Sequence, residues 1–426
     1  MKKNIACLIL AAGRGTRMKS SLPKPLHEIH SRPMLGYLID TVRALGIKRI
    51  GLVFGHEAGK LRRVFKGFDV VLQRRPLGSG DAIRCAKAYF RAYSGDILLL
   101  YSDTPLLKAE TLKALIETHA KNGNKCTLLT AVMSDPKGYG RILRDDSGRV
   151  KKIVEETDAA FYEQAIREIN VGAYMLDKKT LFENIDRIRP NRRKKEFFLT
   201  DIIEIFGKQN LKMGFHTTDD PTEAQGVNSR VDLALANEIA GRRVTDDLMA
   251  QGVTIEDPST TSVDKDAKVG QDTVIYPHTI IEKDVVIGRD CRIGPYARLR
   301  PGTVLDAKVE VGNFVELVRT RVGAGCKIKH MTYLGDAVLG KGINIGAGTI
   351  TANYDGKDKN RTEIGDNAFI GVGAILIAPV KIGRGAVVGA GSVVTKGRNV
   401  PADATVLGVP AKIYKKRTKN KSRREK

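Results

Sequence analysis

The chain has 426 residues, too many for one ordinary hydrophobic core, so two domains are expected. No stretch approaches the roughly 18 consecutive apolar residues of a membrane span, and the five scattered cysteines form neither a CxxC pair nor a zinc spacing, which excludes a helical membrane protein, a disulfide framework and a zinc site. The formal charge of +24 suits anionic, phosphate-bearing small molecules; no nucleic-acid-binding motif or aromatic-rich stacking segment accompanies it, so nucleic acid is not the expected partner.

The chain opens MKKNIACLILAAGRGTRM. A secretory signal would run from its apolar stretch into a small-residue cleavage site. Here the short run at 5–12 leads into Gly13-Arg14-Gly15-Thr16-Arg17, so it reads as a buried strand delivering a glycine-rich basic turn. A cytoplasmic protein with reduced thiols is expected. Apolar or β-branched runs follow at 49–54, 70–72, 96–101 and 125–132, with helical spacing at 33–45, 80–93 and 109–120. Strand–helix alternation predicts a mostly parallel α/β sheet covered by helices, with ligands outside the carboxyl ends of the strands. This domain is assigned to residues 1–229, and 230–252 reads as a connecting helix ending in glycine.

Beyond it the period changes. Val263, Val269, Ile275, Ile281, Ile287, Ile293, Leu299, Leu305, Val311 and Leu317 recur every sixth residue. The phase then slips by one to Val322, Ile328 and Leu334, and the repeat returns at Ile364, Ile370, Leu376, Ile382, Val388 and Val394. Each hexad makes one short strand and turn, and three make a triangular coil with the aliphatic residues inside, so a parallel β-helix is predicted over 253–411. The polar break TANYDGKDKNRT at 351–362 reads as a projecting loop, where function concentrates. Residues 412–426, with nine Lys/Arg and one Glu, read as a disordered basic tail.

LILAAGRGTRM with LPKPLHEI resembles the signature of sugar-phosphate nucleotidyltransferases. Its chemistry is visible in the residues: small side chains let the backbone approach a triphosphate, and Arg17 and Lys24 supply cationic charge. Further segments resemble the family in order: Gln73 with Leu77-Gly78-Ser79-Gly80, YSDTPL at 101–106, YGRI at 139–142, Val154-Glu155, INVG at 169–172, LTD at 199–201 and Val227-Asn228. In the second half, ARLRPG at 297–302, VGNFVEL at 311–317, KHMTYLGDA at 329–337 and NIGAGTITANYDG at 344–356 resemble the acetyltransferase half of bacterial bifunctional uridyltransferase–acetyltransferases. The resemblance covers residues 4–411 and implies that the β-helix is left-handed, a hand the period alone does not give.

The resemblance implies a homotrimer that uses UTP, acetyl-CoA and an amino sugar 1-phosphate, with Mg²⁺. Acetylation comes first, then nucleotidyl transfer, giving UDP-N-acetylglucosamine and pyrophosphate. It implies Asp103 and Asn228 as metal ligands, Arg17 and Lys24 as catalytic cations, and Gln73 and Gly78 as readers of uracil. Gly140, Glu155 and Asn170 would hold the sugar, with Ser79, Tyr101 and Asn228 also at the substrate. In the β-helix it implies His330 as general base, in keeping with the need for a group that titrates near neutrality. Arg300, Tyr333, Asn344, Asn353 and Tyr354 would surround the sugar phosphate and amine, with Ala390 a further substrate-binding position. Four residues depart from the family pattern: Val318 for a phosphate-binding Lys, Val372 for a Ser and Gly408 for an Arg at the coenzyme A site, and Ser102 for a Gly. Arg319 or Arg321 would have to supply the missing charge, although a strand neighbour points to the other face. The alternative expectation is a nucleotidyltransferase for another sugar 1-phosphate, carrying a structural or altered-specificity β-helix.

Overall fold

Along the Ile5–Ala11 strand, Cys7, Ile9 and Ala11 pack into one apolar cluster and Ala6, Leu8 and Leu10 into another. Successive strand side chains point to opposite faces, so a continuous apolar run requires a sheet covered on both sides. The computed structural model describes residues 4–191 and 195–414. It divides into units Met1–Ile239 and Ala240–Lys426, the division falling inside the Arg230–Ala250 helix.

In the first unit the sheet runs Met213–Thr217, Cys126–Val132, Glu168–Asp177, Asp96–Tyr101, Ile5–Ala11, Ile50–Phe54, Asp69–Leu72. Its central pairs are parallel; Glu168–Asp177 is antiparallel to both neighbours. The hairpin Arg141–Arg144 and Val150–Val154 attaches beside that strand. Helices Met34–Ala44 and Ala109–Asn122 place Leu35, Leu38, Leu112 and Leu115 on one face. Ser79–Cys85 and Asp201–Lys208 place Ala82, Ile83, Ile202 and Phe206 on the other.

The helix expected over 80–93 ends at Cys85. Arg49 sits over the segment that follows: its Nη2 donates to the Tyr89 carbonyl at 2.8 Å and its guanidinium lies 4.6 Å from the Tyr89 ring centre and 5.1 Å from that of Tyr93. Beyond Cys85 the N–H groups of Ala86, Lys87, Arg91 and Tyr93 bond three residues back, to Ile83, Arg84, Ala88 and Phe90, so residues 86–92 form successive turns instead.

The second unit is a three-sided parallel β-helix built from sheets of 10, 8 and 7 strands. Ile275 pairs with Ile293 and Ile293 with Val311, eighteen residues per coil. Leu305 then pairs with Val322 and Val311 with Ile328, seventeen residues on, which is the phase slip seen in the sequence. The hexad residues Ile275, Ile293, Leu299, Leu317, Ile328 and Leu334 are all fully buried. Burying an aliphatic side chain is worth about 1.5–3 kcal/mol, so this stack is the main source of the unit's stability. Asn353 to Arg361 leave the wall between strands Ile350–Ala352 and Thr362–Ile364. Lys412–Ile413 pairs antiparallel with Leu407 and Val406, so the chain remains in the sheet where the basic tail was expected to begin; 415–426 lie outside the described residues. All five cysteines are free. No helix of the described residues is long and apolar enough to cross a membrane.

Candidate active sites

The C-terminal ends of the parallel strands gather the N-terminal motifs. After Ile5–Ala11 the chain turns through Gly15, whose φ of 61° favours glycine and whose Cβ position would lie 2.7 Å from Lys24 Cβ. That contact packs the glycine-rich loop against Lys24. Met18, 1% exposed, anchors the Thr16–Met18 turn and leaves Arg17 exposed beside it. The Lys24 ammonium is 2.8 Å from Asp103 Oδ2 and 2.8 Å from Asn228 Oδ1. Its side chain is 10% exposed, so the pair is charge-assisted and shielded. Asn228 is held from both sides. The Val227 N–H donates to the Asp103 carbonyl at 2.7 Å. Asp232 accepts from the N–H groups of Asn228 and Ser229 at 2.8 Å, and Ser229 Oγ accepts from the Asp232 N–H at 3.2 Å. This reciprocal cap starts the Arg230–Ala250 helix.

Around this centre, Gln73 is 5% exposed and its Nε2 donates to the Gly78 carbonyl (2.9 Å) and to Asp81 (2.8 Å), which fixes the amide. Gly78 has φ 98°, and a Cβ there would meet the Phe197 carbonyl at 2.5 Å, so the backbone takes a path other residues disfavour. Ser79 Oγ accepts from the Leu199 N–H at 2.9 Å, and the adjoining Thr200 hydroxyl donates to Glu155 at 2.8 Å. The Asn170 N–H donates to the Gly140 carbonyl at 2.9 Å, while its Oδ1 accepts from the Tyr174 hydroxyl at 3.0 Å. Burial pushes the Tyr101 phenol up, and Glu155 and Asp103 add to the shift. Asp201 is pushed up to about 6, first by burial and then by Glu155, Glu204 and Asp158.

Asp103 and Asn228 offer hard oxygens converging on one cation position, here taken by the Lys24 ammonium. Mg²⁺ commonly takes one or two protein oxygens and completes its shell with water and phosphate, so this donor pair fits it. Among the described residues no group of three or more His, Cys, Asp or Glu could hold a metal.

In the β-helix the expected residues lie on stacked coils. His330 ends the Lys327–His330 strand, exposed, with Nδ1 2.9 Å from Asn313 Oδ1. Tyr333 follows in the Tyr333–Gly335 strand, in register with Glu316. Arg300 Nη1 lies 2.8 Å from Glu316. Asn344 pairs in register with Lys327 and Phe369. Asn353 is 7% exposed, and its Nδ2 donates to Asp336 Oδ2 at 2.5 Å. Tyr354 is exposed, its hydroxyl donating to the Gly356 carbonyl at 2.6 Å. Ala390 is exposed just past the Val387–Val388 strand. Val318 is 2% exposed, its side chain buried in register with Gly335. Arg319 is no free substitute for the missing lysine: it holds Asp336 through two bonds of 2.6 and 2.8 Å. That contact draws the Asp336 carboxyl below its ordinary value.

The sequence reading missed Asp232, Thr200, Asn313 and Asp336 as supporting groups. Thr200, Asn313 and Asp336 lie inside quoted motifs, and Ser229-x-x-Asp232 carries the spacing of a helix cap, so a search for caps and partners could have raised them.

A family model for the MobA-like NTP transferase domain matches residues 7–197, and one for bacterial transferase hexapeptide repeats matches 266–301 and 361–396. The bifunctional protein GlmU of Trichlorobacter lovleyi is 41% identical over 447 aligned residues, covering 96% of this chain and 97% of that one. The GlmU proteins of Shouchella clausii (40% identity, 96% and 97% covered) and Pelotomaculum thermopropionicum (44%, 89% and 90%) are similarly close. With an NTP-transferase sheet followed by a left-handed hexapeptide β-helix and this identity along nearly its whole length, the chain belongs to the GlmU family, bifunctional enzymes with a nucleotidyltransferase and an acetyltransferase half.

Proposed function

We propose that the β-helix unit acetylates glucosamine 1-phosphate with acetyl-CoA, and that the N-terminal unit then joins N-acetylglucosamine 1-phosphate to UMP from UTP. The observation that carries the second step is the Lys24 ammonium held 2.8 Å from both Asp103 and Asn228 at the end of the glycine-rich loop. A sugar phosphate oxygen attacks the α-phosphorus of UTP; the new P–O bond forms as the bond to pyrophosphate breaks. Positioning and charge neutralisation do most of the work in such transfers. Lys24 and Arg17 neutralise phosphate oxygens. Gln73, its Nε2 tied to Gly78 and Asp81, turns its carbonyl oxygen to the uracil N–H. Ser79 and Tyr101 wall the nucleotide, and Gly140, Glu155 and Asn170 hold the sugar. Asp103 and Asn228 would hold Mg²⁺, which would supply positive charge against the phosphates.

In acetyl transfer the sugar amine attacks the thioester carbonyl. A C–N bond forms, the C–S bond breaks, and the amine proton passes to His330. Arg300 faces the sugar phosphate, and Tyr333, Asn344, Asn353, Tyr354 and Ala390 shape the pocket for sugar and coenzyme A. We place the enzyme in the cytoplasm as a homotrimer. The exposed stack of His278, Tyr296 and Phe314, with ring centres 4.7 and 5.3 Å apart, supports a second copy as the cover for that stripe. Sedimentation at three times the chain mass is the expected result, and a monomer counts against it.

The buried Val318 favours a second reading, a nucleotidyltransferase whose β-helix does not acetylate. Incubation with acetyl-CoA, glucosamine 1-phosphate, UTP and Mg²⁺ separates the two. The first reading gives UDP-N-acetylglucosamine. The second gives UDP-sugar only from a sugar phosphate supplied already acetylated.

A further inference from the structure

A neutral imidazole carries one N–H and one lone pair, and only the nitrogen with the lone pair can take a proton. His330 Nδ1 lies 2.9 Å from Asn313 Oδ1. A carboxamide oxygen only accepts, so Nδ1 carries the hydrogen and Nε2 the lone pair. The contact comes from the coil register, in which Asn313 and His330 are partners on adjacent strands. At a strict eighteen-residue repeat, Asn313 would face Met331; the seventeen-residue coil brings His330 there instead. The close approach is enforced next door, where any side chain at Gly312 would run into the Lys329 carbonyl. Both strands turn directly after the pair, at Phe314 (φ 57°) and Met331 (φ 44°), which leaves Asn313 and His330 as the last strand residues.

The charged neighbours on these coils are paired with one another: Glu310 with Lys329 (2.7 Å) and Lys327 (3.9 Å), and Glu316 with Arg300 (2.8 Å). Tyr333 and the Arg319–Asp336 pair stand on the coils beside them. Asn313 is the polar group that the structure puts on the ring itself. His330 is exposed, so burial does not require that its nitrogen be satisfied.

We infer that Asn313 is the positioning residue of the acetyl-transfer base: it selects the Nδ1–H tautomer of His330 and turns Nε2 to the amine. This rests on the acetyl-transfer reading above. The test uses the full chain. Nitrogen-15 NMR of labelled histidine, with His330 assigned by the signal lost in His330→Ala, should show the Nδ1–H form dominating in the parent and a mixture in Asn313→Ala. Acetyl transfer to glucosamine 1-phosphate should fall about tenfold in kcat in Asn313→Ala, the low end of what losing a histidine's orienting partner costs at metal sites. Its KM should be unchanged. Asn313→Asp keeps an acceptor but favours the imidazolium, so activity is retained with the acid limb of the pH–rate profile moved up by about one unit. A merely structural asparagine would change the melting temperature and leave tautomer and acid limb alone. Equal tautomer populations in parent and Asn313→Ala, with an unmoved acid limb in Asn313→Asp, would overturn the inference. Undiminished acetylation by His330→Ala would instead remove the base reading, and the tautomer signal would still judge the Asn313 contact.

Discussion

In the N-terminal unit Lys24 meets Asn228 across 204 residues of sequence, whereas in the β-helix Asn313 meets His330 across 17. The first site is assembled from the ends of many elements, and its members hold one another: Lys24 to Asp103, Asp103 to Val227, Asp232 to Asn228. The second is laid out along a repeat whose backbone is fixed by an apolar stack that carries no chemistry. Removing a polar group from the first leaves a shielded partner unpaired; removing one from the second leaves the wall intact. The two sites should therefore fail separately and by different routes.

The largest expected effect is at His330. General-base help is worth about 10²–10⁴ in rate, so His330→Ala should lower acetyl transfer by that factor and leave nucleotidyl transfer from N-acetylglucosamine 1-phosphate unchanged. Parallel loss of both activities would break the comparison. Next comes Asp103→Ala. Loss of one preorganised group that stabilises charge costs about 10²–10³, so UDP-sugar formation should fall by at least that much while acetylation continues. Near-normal UDP-sugar synthesis would remove Asp103 from the site.

How far these sites were legible follows from the same contrast. The hexad period marked the side chains that point inward, all of them buried except Val269, which is half-buried. The slip at Val322 was also visible, but not its consequence, since pairing His330 rather than Met331 with Asn313 needs the register of two coils. In the first unit the apolar runs at 5–12, 49–54, 96–101 and 125–132 marked strands buried on both faces, whereas the edge strand Asp69–Leu72 buries only Val71. The helix ending at Cys85 was not legible, because the change to bonds three residues back at Ala86 and Lys87 leaves no mark in the apolar spacing. Val318 was recognised as a departure, yet only the fold shows its side chain buried and Arg319 committed to Asp336.

A cavity in the apolar stack should cost stability without selecting an activity. Ile328→Ala, at a fully buried position, should destabilise the β-helix by about 2–5 kcal/mol in urea unfolding, with nucleotidyl transfer retained below the transition. A loss under about 1 kcal/mol would mean that the stack is not the unit's main support.

The smallest effect sharpens the polar side of the comparison. Asp201 is held near 6 in the folded protein, above its ordinary 3.8, so the folded state binds the proton more tightly than the unfolded one. Its contribution to stability is present below about pH 4 and is lost as pH rises through about 6. Asp201→Asn should therefore melt higher than the parent above pH 6, with the gap closing toward pH 4. A gap that does not vary with pH would contradict this.

Complementation tests the separation of the two sites most directly. Asp103→Ala and His330→Ala are each given glucosamine 1-phosphate, acetyl-CoA, UTP and Mg²⁺, first alone and then mixed. Alone, Asp103→Ala should accumulate N-acetylglucosamine 1-phosphate and His330→Ala should leave the amino sugar untouched. Mixed, they should form UDP-N-acetylglucosamine, because the acetylated sugar phosphate made by one protein is used by the other. A mixture as inactive as either variant alone would contradict two independent sites.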